Sequence, residues 1–335
     1  MTARPGAPGL PSRRLAKLRA DPAGFFLQSR FPALRALGQW QARRLDRAIC
    51  RAAEAAADRP VCVIVTVHNG ARTIVAALDS LARQSHRALE VIVVDDAGTD
   101  GGAELVRAFC ARDGRFRLLV NRENVGPYVS RNRALAQTPA DFVTFQDADD
   151  LSHQDRIFRQ LGYLLSRPSR LACLCSGIRV DEAGRTLTLD GRAERLEAST
   201  FFFRRAEAIE SVGYFDSVRF AGDAEYAARL RAVHGTGCIG RLHEVLLTAT
   251  FRDNSITRGG AGAHVWTQSA PGEWRRAEAH ARIAYRAAYA RWHATFRDGG
   301  AARIGFPQDR RPFEAPEGMA VQNRVERPSN DGGGS

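Results

Sequence analysis

The sequence predicts an α/β fold, a mostly parallel sheet with helices on both faces, and three observations predict it. Val61–Val67 is a run rich in β-branched residues and apolar but for Thr66, as suits a strand buried on both sides. Ile74, Leu78 and Leu81 follow at helical spacing, and the strand-then-helix alternation recurs as far as Val180, the mark of successive βαβ units. No apolar run approaches the roughly 18–20 residues that span a bilayer.

Taken in order, residues 1–12 read as a Pro/Gly-rich leader. Residues 13–57 carry a helical pattern interrupted at Asp21-Pro22 and Phe31-Pro32, with Phe25, Phe26, Leu27, Leu34, Leu37 and Trp40 as apolar anchors. Pro60 ends that stretch, because proline cannot continue a helix. Strands are expected at Val61–Val67, Val91–Val94, Phe116–Val120, Phe142–Phe145 and Leu171–Val180. Helices carry Leu105 and Phe109, the stretch through Leu135, and Ile157 to Leu165. Beyond 258, Tyr285, Tyr289, Trp292 and Phe296 fall on one helical stripe, and Trp266 and Trp274 add to the aromatic content. The expected organisation is therefore a basic helical segment over 1–59, a catalytic domain over 60–257, a helical, aromatic extension over 258–327 packed on that domain, and a flexible tail over 328–335.

The net charge is +12 and is unevenly placed. Residues 1–59 hold twelve basic against four acidic residues, a distribution that suits an anionic partner such as a membrane surface. A solvated helix face is the plainer alternative. The basic N-terminus lacks the apolar core of a signal peptide, so a cytoplasmic location is expected. Six cysteines contain no C-x-x-C pair and read as buried free thiols, not zinc ligands or disulfides.

In open α/β sheets ligands bind beyond the carboxyl ends of the strands. After the first strand come Thr66, His68 and Asn69; after the second, Asp95, Asp96, Thr99 and Asp100; after the third, Asn121, Gly126, Ser130, Arg131 and Asn132; after the fourth, Asp147, Asp149 and Asp150. Four loops bring polar or acidic groups to one edge. No G-x-G-x-x-G follows the first strand and no phosphate-cradling G-x-x-x-x-G-K-[ST] is present, which excludes the usual dinucleotide and P-loop sites. A carboxylate-rich edge meets phosphate through a divalent cation, Mg²⁺ or Mn²⁺.

These stretches resemble the family 2 glycosyltransferases of the GT-A fold. Val63 through Gly70 is similar to the opening strand, and Val93-Val94-Asp95-Asp96 to the nucleotide motif. Asn124-Val125-Gly126 through Ser130-Arg131-Asn132 resembles the N-x-G…A-R-N stretch, and Asp147-Ala148-Asp149-Asp150 the metal-binding D-x-D. Gly213 to Asp216 with Gly222-Asp223-Ala224-Glu225 and Arg229 resembles the acceptor-side acidic motif. The chain departs from the family in carrying Thr66 and His68 for proline and tyrosine, Gly222 for an acid, and Arg252 where many relatives carry a metal-contacting histidine. The subgroup it most resembles makes capsule and other surface polysaccharides, and Lys17 to Pro22 with Phe25-Phe26 is similar to an N-terminal segment of capsule-assembly enzymes.

The resemblance implies inverting transfer of a sugar from a nucleotide diphosphate to a hydroxyl of a glycan or lipid-linked acceptor. It assigns Asp149 to the metal and Asp147 to ribose or the metal. Thr66, His68, Asn69, Asp95, Asp96, Gly126 and Arg131 are assigned to the nucleotide sugar, and Asp223 to the general base. Glu225 is the alternative base, and Arg252 a candidate partner for diphosphate. A nucleotidyltransferase, or a non-catalytic nucleotide-sugar or nucleic-acid binder, are the alternatives; no nucleic-acid motif is present.

Overall fold

The computed structural model describes residues 32–251 and 264–321. Its centre is four parallel strands, β1 (Val61–Val67), β2 (Leu89–Asp95), β3 (Phe116–Val120) and β4 (Phe142–Asp147), ordered β3-β2-β1-β4. The register sets Thr66 beside Asp147 and Val67 beside Asp95, so the polar groups leave the sheet at one level. Beyond β4 the sheet becomes mixed, through β5 (Asp150–Ser152), β6 (Ala172–Val180), β7 (Thr186–Leu189), β8 (Glu194–Leu196), β9 (Phe202–Arg204) and β10 (Ile239–Thr250). β9 lies antiparallel between β4 and β6, and β10 runs parallel to β6.

Side chains alternate across each strand, and the alternation sorts them into two cores. Cys62, Ile64, Ile92, Val94, Val143 and Phe145 face one core. Val61, Val63, Val65, Val91, Val93 and Phe142 face the other. The first is covered by α4 (Pro127–Leu135), α6 (Arg205–Val212), α7 (Gly222–His234) and α8 (His280–Ala294). The second is covered by α1 (Pro32–Glu54), α2 (Ile74–Ala82), α3 (Gly102–Cys110) and α5 (Arg156–Leu165). The fold class read from the sequence is the one observed.

Two regions differ from expectation. The C-terminal extension is not wholly helical: β11 (Val265–Ala270) and β12 (Glu273–Ala277) form an antiparallel hairpin that joins β7. Trp266 and Trp274 pack there around Leu187, Leu189 and Phe251. The predicted aromatic stripe does form, on α8: Tyr285 is fully buried, Tyr289 is buried, and Trp292 stacks on Phe313 with centroids 5.2 Å apart. Asp216 fastens this region, accepting from Tyr285 at 2.8 Å, Gln308 at 3.0 Å and both ways from Arg311 at 2.6 and 2.5 Å.

The second difference is α1, whose C-terminal half is part of the core. Ile49 and Ala53 are buried, and a Cβ on Gly162 of α5 would lie 2.2 Å from the Ile49 carbonyl oxygen. The two helices can cross this closely because Gly162 has no side chain. Arg159 pairs with Asp46 at 2.7 Å and with Glu244. Leu37 and Trp40 are exposed, with the Arg44 guanidinium 5.4 Å above the Trp40 ring. The anchors Phe25, Phe26 and Leu27, the Lys17–Pro22 stretch and the tail lie outside the described residues. All six cysteines are free.

Candidate active site at the carboxyl edge of the sheet

Strand order reverses between β1 and β4, and such a switch point opens a crevice at the carboxyl ends. Asn69, with φ of 53°, turns the chain out of β1, and its side-chain oxygen accepts from the Thr99 amide at 2.8 Å. Asp100 accepts from the Ala71 amide at 2.7 Å and the Gly102 amide at 3.0 Å. The loops after β1 and β2 are thus stapled to each other by short polar side chains. His68 donates from Nδ1 to the Asp96 carbonyl at 2.9 Å, leaving Nε2 to accept from Asn69 at 3.4 Å. This holds the exposed imidazole over the edge beside Thr66.

Asp95 and Asp96 are both buried but differ in surroundings. The Gly98 amide reaches Asp95 Oδ1 at 3.3 Å, and burial raises this carboxyl above the ordinary range. Asp96 accepts from Asn121 Nδ2 at 2.8 Å, the Val125 amide at 2.9 Å and the Gly126 amide at 2.8 Å. It therefore shapes the loop that enters α4. Gly126 turns that loop with φ of 80°, a conformation that favours glycine.

α4 carries the central side chains. Arg131 donates from Nη2 to Asp147 Oδ1 at 2.9 Å and lies over the Tyr128 and Phe145 rings at 5.2 and 4.9 Å. Its side chain is 8% exposed whereas that of Asp147 is 49% exposed, so a buried cation holds a carboxylate that faces solvent. The Asn132 amide brackets Phe215, donating to its carbonyl at 2.8 Å and accepting from its N–H at 2.9 Å. That staple brings the Gly213–Asp216 segment, and α7 behind it, to the edge.

Tyr128, which the sequence reading passed over, donates its hydroxyl to Asp223 Oδ1 at 2.8 Å. A Cβ at Gly222 would fall 2.9 Å from two atoms of the Tyr128 ring. The glycine that departs from the family pattern is thus the residue that admits this ring. Asp223 sits partly exposed in the first turn of α7. Glu225, two residues on, is fully buried; it pairs with Arg229 at 3.0 Å and with His293 at 3.0 Å. The structure does not bring Glu225 to the edge with Asp223. Arg252 lies outside the described residues.

At the end of β4, Asp147 and Asp149 are partly exposed and Asp150 is buried. Burial, then the charges of Asp147 and Asp149, drive the Asp150 carboxyl well above its ordinary value. Among the described residues no group of three or more His, Cys, Asp or Glu side chains is placed to hold a metal ion. Asp147 and Asp149, two residues apart and both partly exposed, nonetheless supply the oxygen donors that suit a cation such as Mg²⁺, which commonly takes one or two carboxylates and completes its shell from water and substrate phosphates.

An open sheet with carboxylates at its switch point, flanked by a mixed-sheet half, is the GT-A arrangement. Residues 62–222, just under half of the chain, match the family model described as glycosyl transferase family 2, so this stretch is similar to that family. It is 36% identical over 162 residues to the succinoglycan biosynthesis protein ExoU of Rhizobium meliloti, covering 48% of this chain and 44% of that protein. It is 34% identical over 107 residues to the putative teichuronic acid biosynthesis glycosyltransferase TuaG of Bacillus subtilis, covering 32% of this chain and 42% of that one. The chain thus spans less than half the length of either relative. The S. aureus TarS 1–349 structure in complex with UDP superposes with a TM-score of 0.48 at 23% identity, over 58% of this chain and 61% of that one. No helix among the described residues is long and apolar enough to cross a membrane.

Proposed function

We propose that the chain is an inverting glycosyltransferase that moves a sugar from a nucleotide-diphosphate donor to an acceptor hydroxyl, in synthesis of a bacterial capsule or other surface polysaccharide. The observation that carries this reading is the line Asp147–Arg131–Tyr128–Asp223, which ties an acid at the end of β4 to an acid opening α7. Glycosyl transfer asks for two such groups, one beside the departing diphosphate and one beside the acceptor. The relatives named for succinoglycan and teichuronic acid biosynthesis support the polysaccharide class.

In this reading Thr66, His68, Asn69, Asp95 and Asp96 border the base and ribose, with Gly126 shaping the wall. Asp149 with Asp147 would hold a divalent cation, Mn²⁺ or Mg²⁺, which when bound supplies neutralising charge to the diphosphate. Arg131 adds fixed positive charge at the same place. Asp223 takes the proton of the acceptor hydroxyl while its oxygen bonds to the anomeric carbon. The bond from that carbon to the diphosphate oxygen breaks on the opposite side, and its electron pair leaves with the nucleotide diphosphate. General-base help of this kind is worth about 10²–10⁴ in rate. The test is a panel of UDP- and GDP-sugars with Mn²⁺ or Mg²⁺, read by nucleotide release and by thermal protection. At least one donor is expected to give both with metal; a panel that gives neither overturns the reading.

The same proposal places the chain at an anionic membrane face, supported by exposed Leu37 and Trp40 beside exposed Arg43, Arg44, Arg47 and Arg51 on α1. Each basic residue at such a surface contributes about 1 kcal/mol, weakened by salt. Truncation at residue 58 would remove buried Ile49 and Ala53, so substitution is the cleaner test. Trp40→Ala/Arg44→Glu/Arg47→Glu is expected to lose co-sedimentation with phosphatidylserine-containing vesicles at low salt. Unchanged binding would refute the membrane role.

A further inference from the structure

The proposed base is held by a side chain from another helix. Tyr128 is buried, and its ring is confined on three sides. The Arg131 guanidinium lies 5.2 Å from it, the Phe215 ring 5.7 Å away, and the bare backbone of Gly222 forms the floor. A ring so confined has one place to put its hydroxyl, and that place is 2.8 Å from Asp223 Oδ1. Asp223 itself sits in the opening turn of α7, where a short side chain has several rotamers open to it.

We propose that Tyr128 is the positioning residue for Asp223: its hydroxyl occupies Oδ1, fixes the carboxylate rotamer and leaves Oδ2 turned to the acceptor hydroxyl. This rests on the reading of Asp223 as the general base. Burial, and then the charge of Asp223, push the Tyr128 hydroxyl strongly towards its protonated form, so it acts as a fixed donor. The position of the ring also makes the arrangement a unit. Arg131 bonds Asp147 on the donor side and stacks on the ring that orients Asp223 on the acceptor side. Gly222 is the space that the unit needs.

Tyr128→Phe tests this, because it keeps the ring, the Arg131 stack and the Gly222 contact and removes one hydroxyl. With UDP-N-acetylglucosamine or GDP-mannose and Mn²⁺ as probes, kcat is expected to fall about tenfold to a hundredfold, the scale of a misplaced catalytic group. KM for the donor and the melting temperature stay near wild type. In an Asp223→Asn background the same change should cost nothing further, since both act through one proton transfer. Full kcat in Tyr128→Phe, or an equal loss in both backgrounds, overturns the positioning role while leaving the base assignment standing. Normal turnover by Asp223→Asn alone overturns the base assignment and the positioning role with it. Independently of any substrate, a crystal structure of Tyr128→Phe should show the Asp223 carboxylate displaced; an unchanged rotamer counts against the proposal.

Discussion

The Gly126 amide donates to the Asp96 carboxylate at 2.8 Å across a gap of thirty residues in sequence. With Val125 and Asn121 bonded to the same group, one carboxylate sets the shape of the loop leading into α4. Asp96→Ala strands these donors in a buried setting, at about 1–3 kcal/mol for each one left unsatisfied. Urea denaturation is expected to show a loss of about 3 kcal/mol, and nucleotide-sugar binding should weaken with it. Wild-type stability in this variant would mean that the loop is held by other contacts.

Asp149 is expected to behave differently, because it is partly exposed whereas Asp96 is buried. Asp149→Ala should leave the melting temperature within a few degrees of wild type and abolish metal-stimulated nucleotide release. Turnover that persists at saturating Mn²⁺ or Mg²⁺ would remove Asp149 from the metal site.

Asp223 and Glu225 allow a paired comparison on one helix. Asp223→Asn should lower kcat by about 10²–10⁴ with donor binding nearly intact, because an amide cannot take the proton. Glu225→Ala leaves the buried Arg229 bonded to the Val212 and Tyr214 carbonyls but without a counter-charge, and breaking such a buried pair costs about 3–5 kcal/mol. Chemical denaturation and steady-state kinetics on the two variants should therefore give opposite patterns. A stable but inactive Glu225 variant would return Glu225 to the catalytic role.

Burial, with Arg282 and Arg276 nearby, holds the His264 imidazole down from 6.5 to about 4. Between those values the unfolded chain binds the proton that the folded chain refuses, so folding stability rises with pH across this window. The contribution is complete above 6.5 and is lost as pH falls towards 4. His264→Gln should therefore lose less stability than wild type between pH 7 and 4, measured by urea titration at several pH values. Parallel stability curves would rule the titration out.

The sheet and its polar edge were legible because strand patterning and the polar residues that end strands are local signals. Thr66, Asp95 and Asp147 could be placed at one edge before any contact was known. Tyr128 was not legible: a tyrosine inside a helical pattern reads as packing, and its partner lies 95 residues away. Glu225 misled for the opposite reason. An acid in the first turn of a helix suits the macrodipole, but its fate was decided by His293, 68 residues on. The β11–β12 hairpin was missed because Trp266 and Trp274 read equally well as helix or strand without their partner Phe251.

The Asp216 junction bears on where this protein can be cut. Its carboxylate is fully buried, and the three side chains that satisfy it all come from beyond residue 280. The family-matched stretch 62–222 contains the carboxylate and none of those donors. Excised by itself, that stretch would carry an uncompensated negative charge in its interior, together with the bare faces left by Tyr285 and Phe313. A chain cut at the ends of the matched stretch is therefore expected to be insoluble, and one that runs on through Arg311 to be soluble, as sedimentation of the two expressed chains would read.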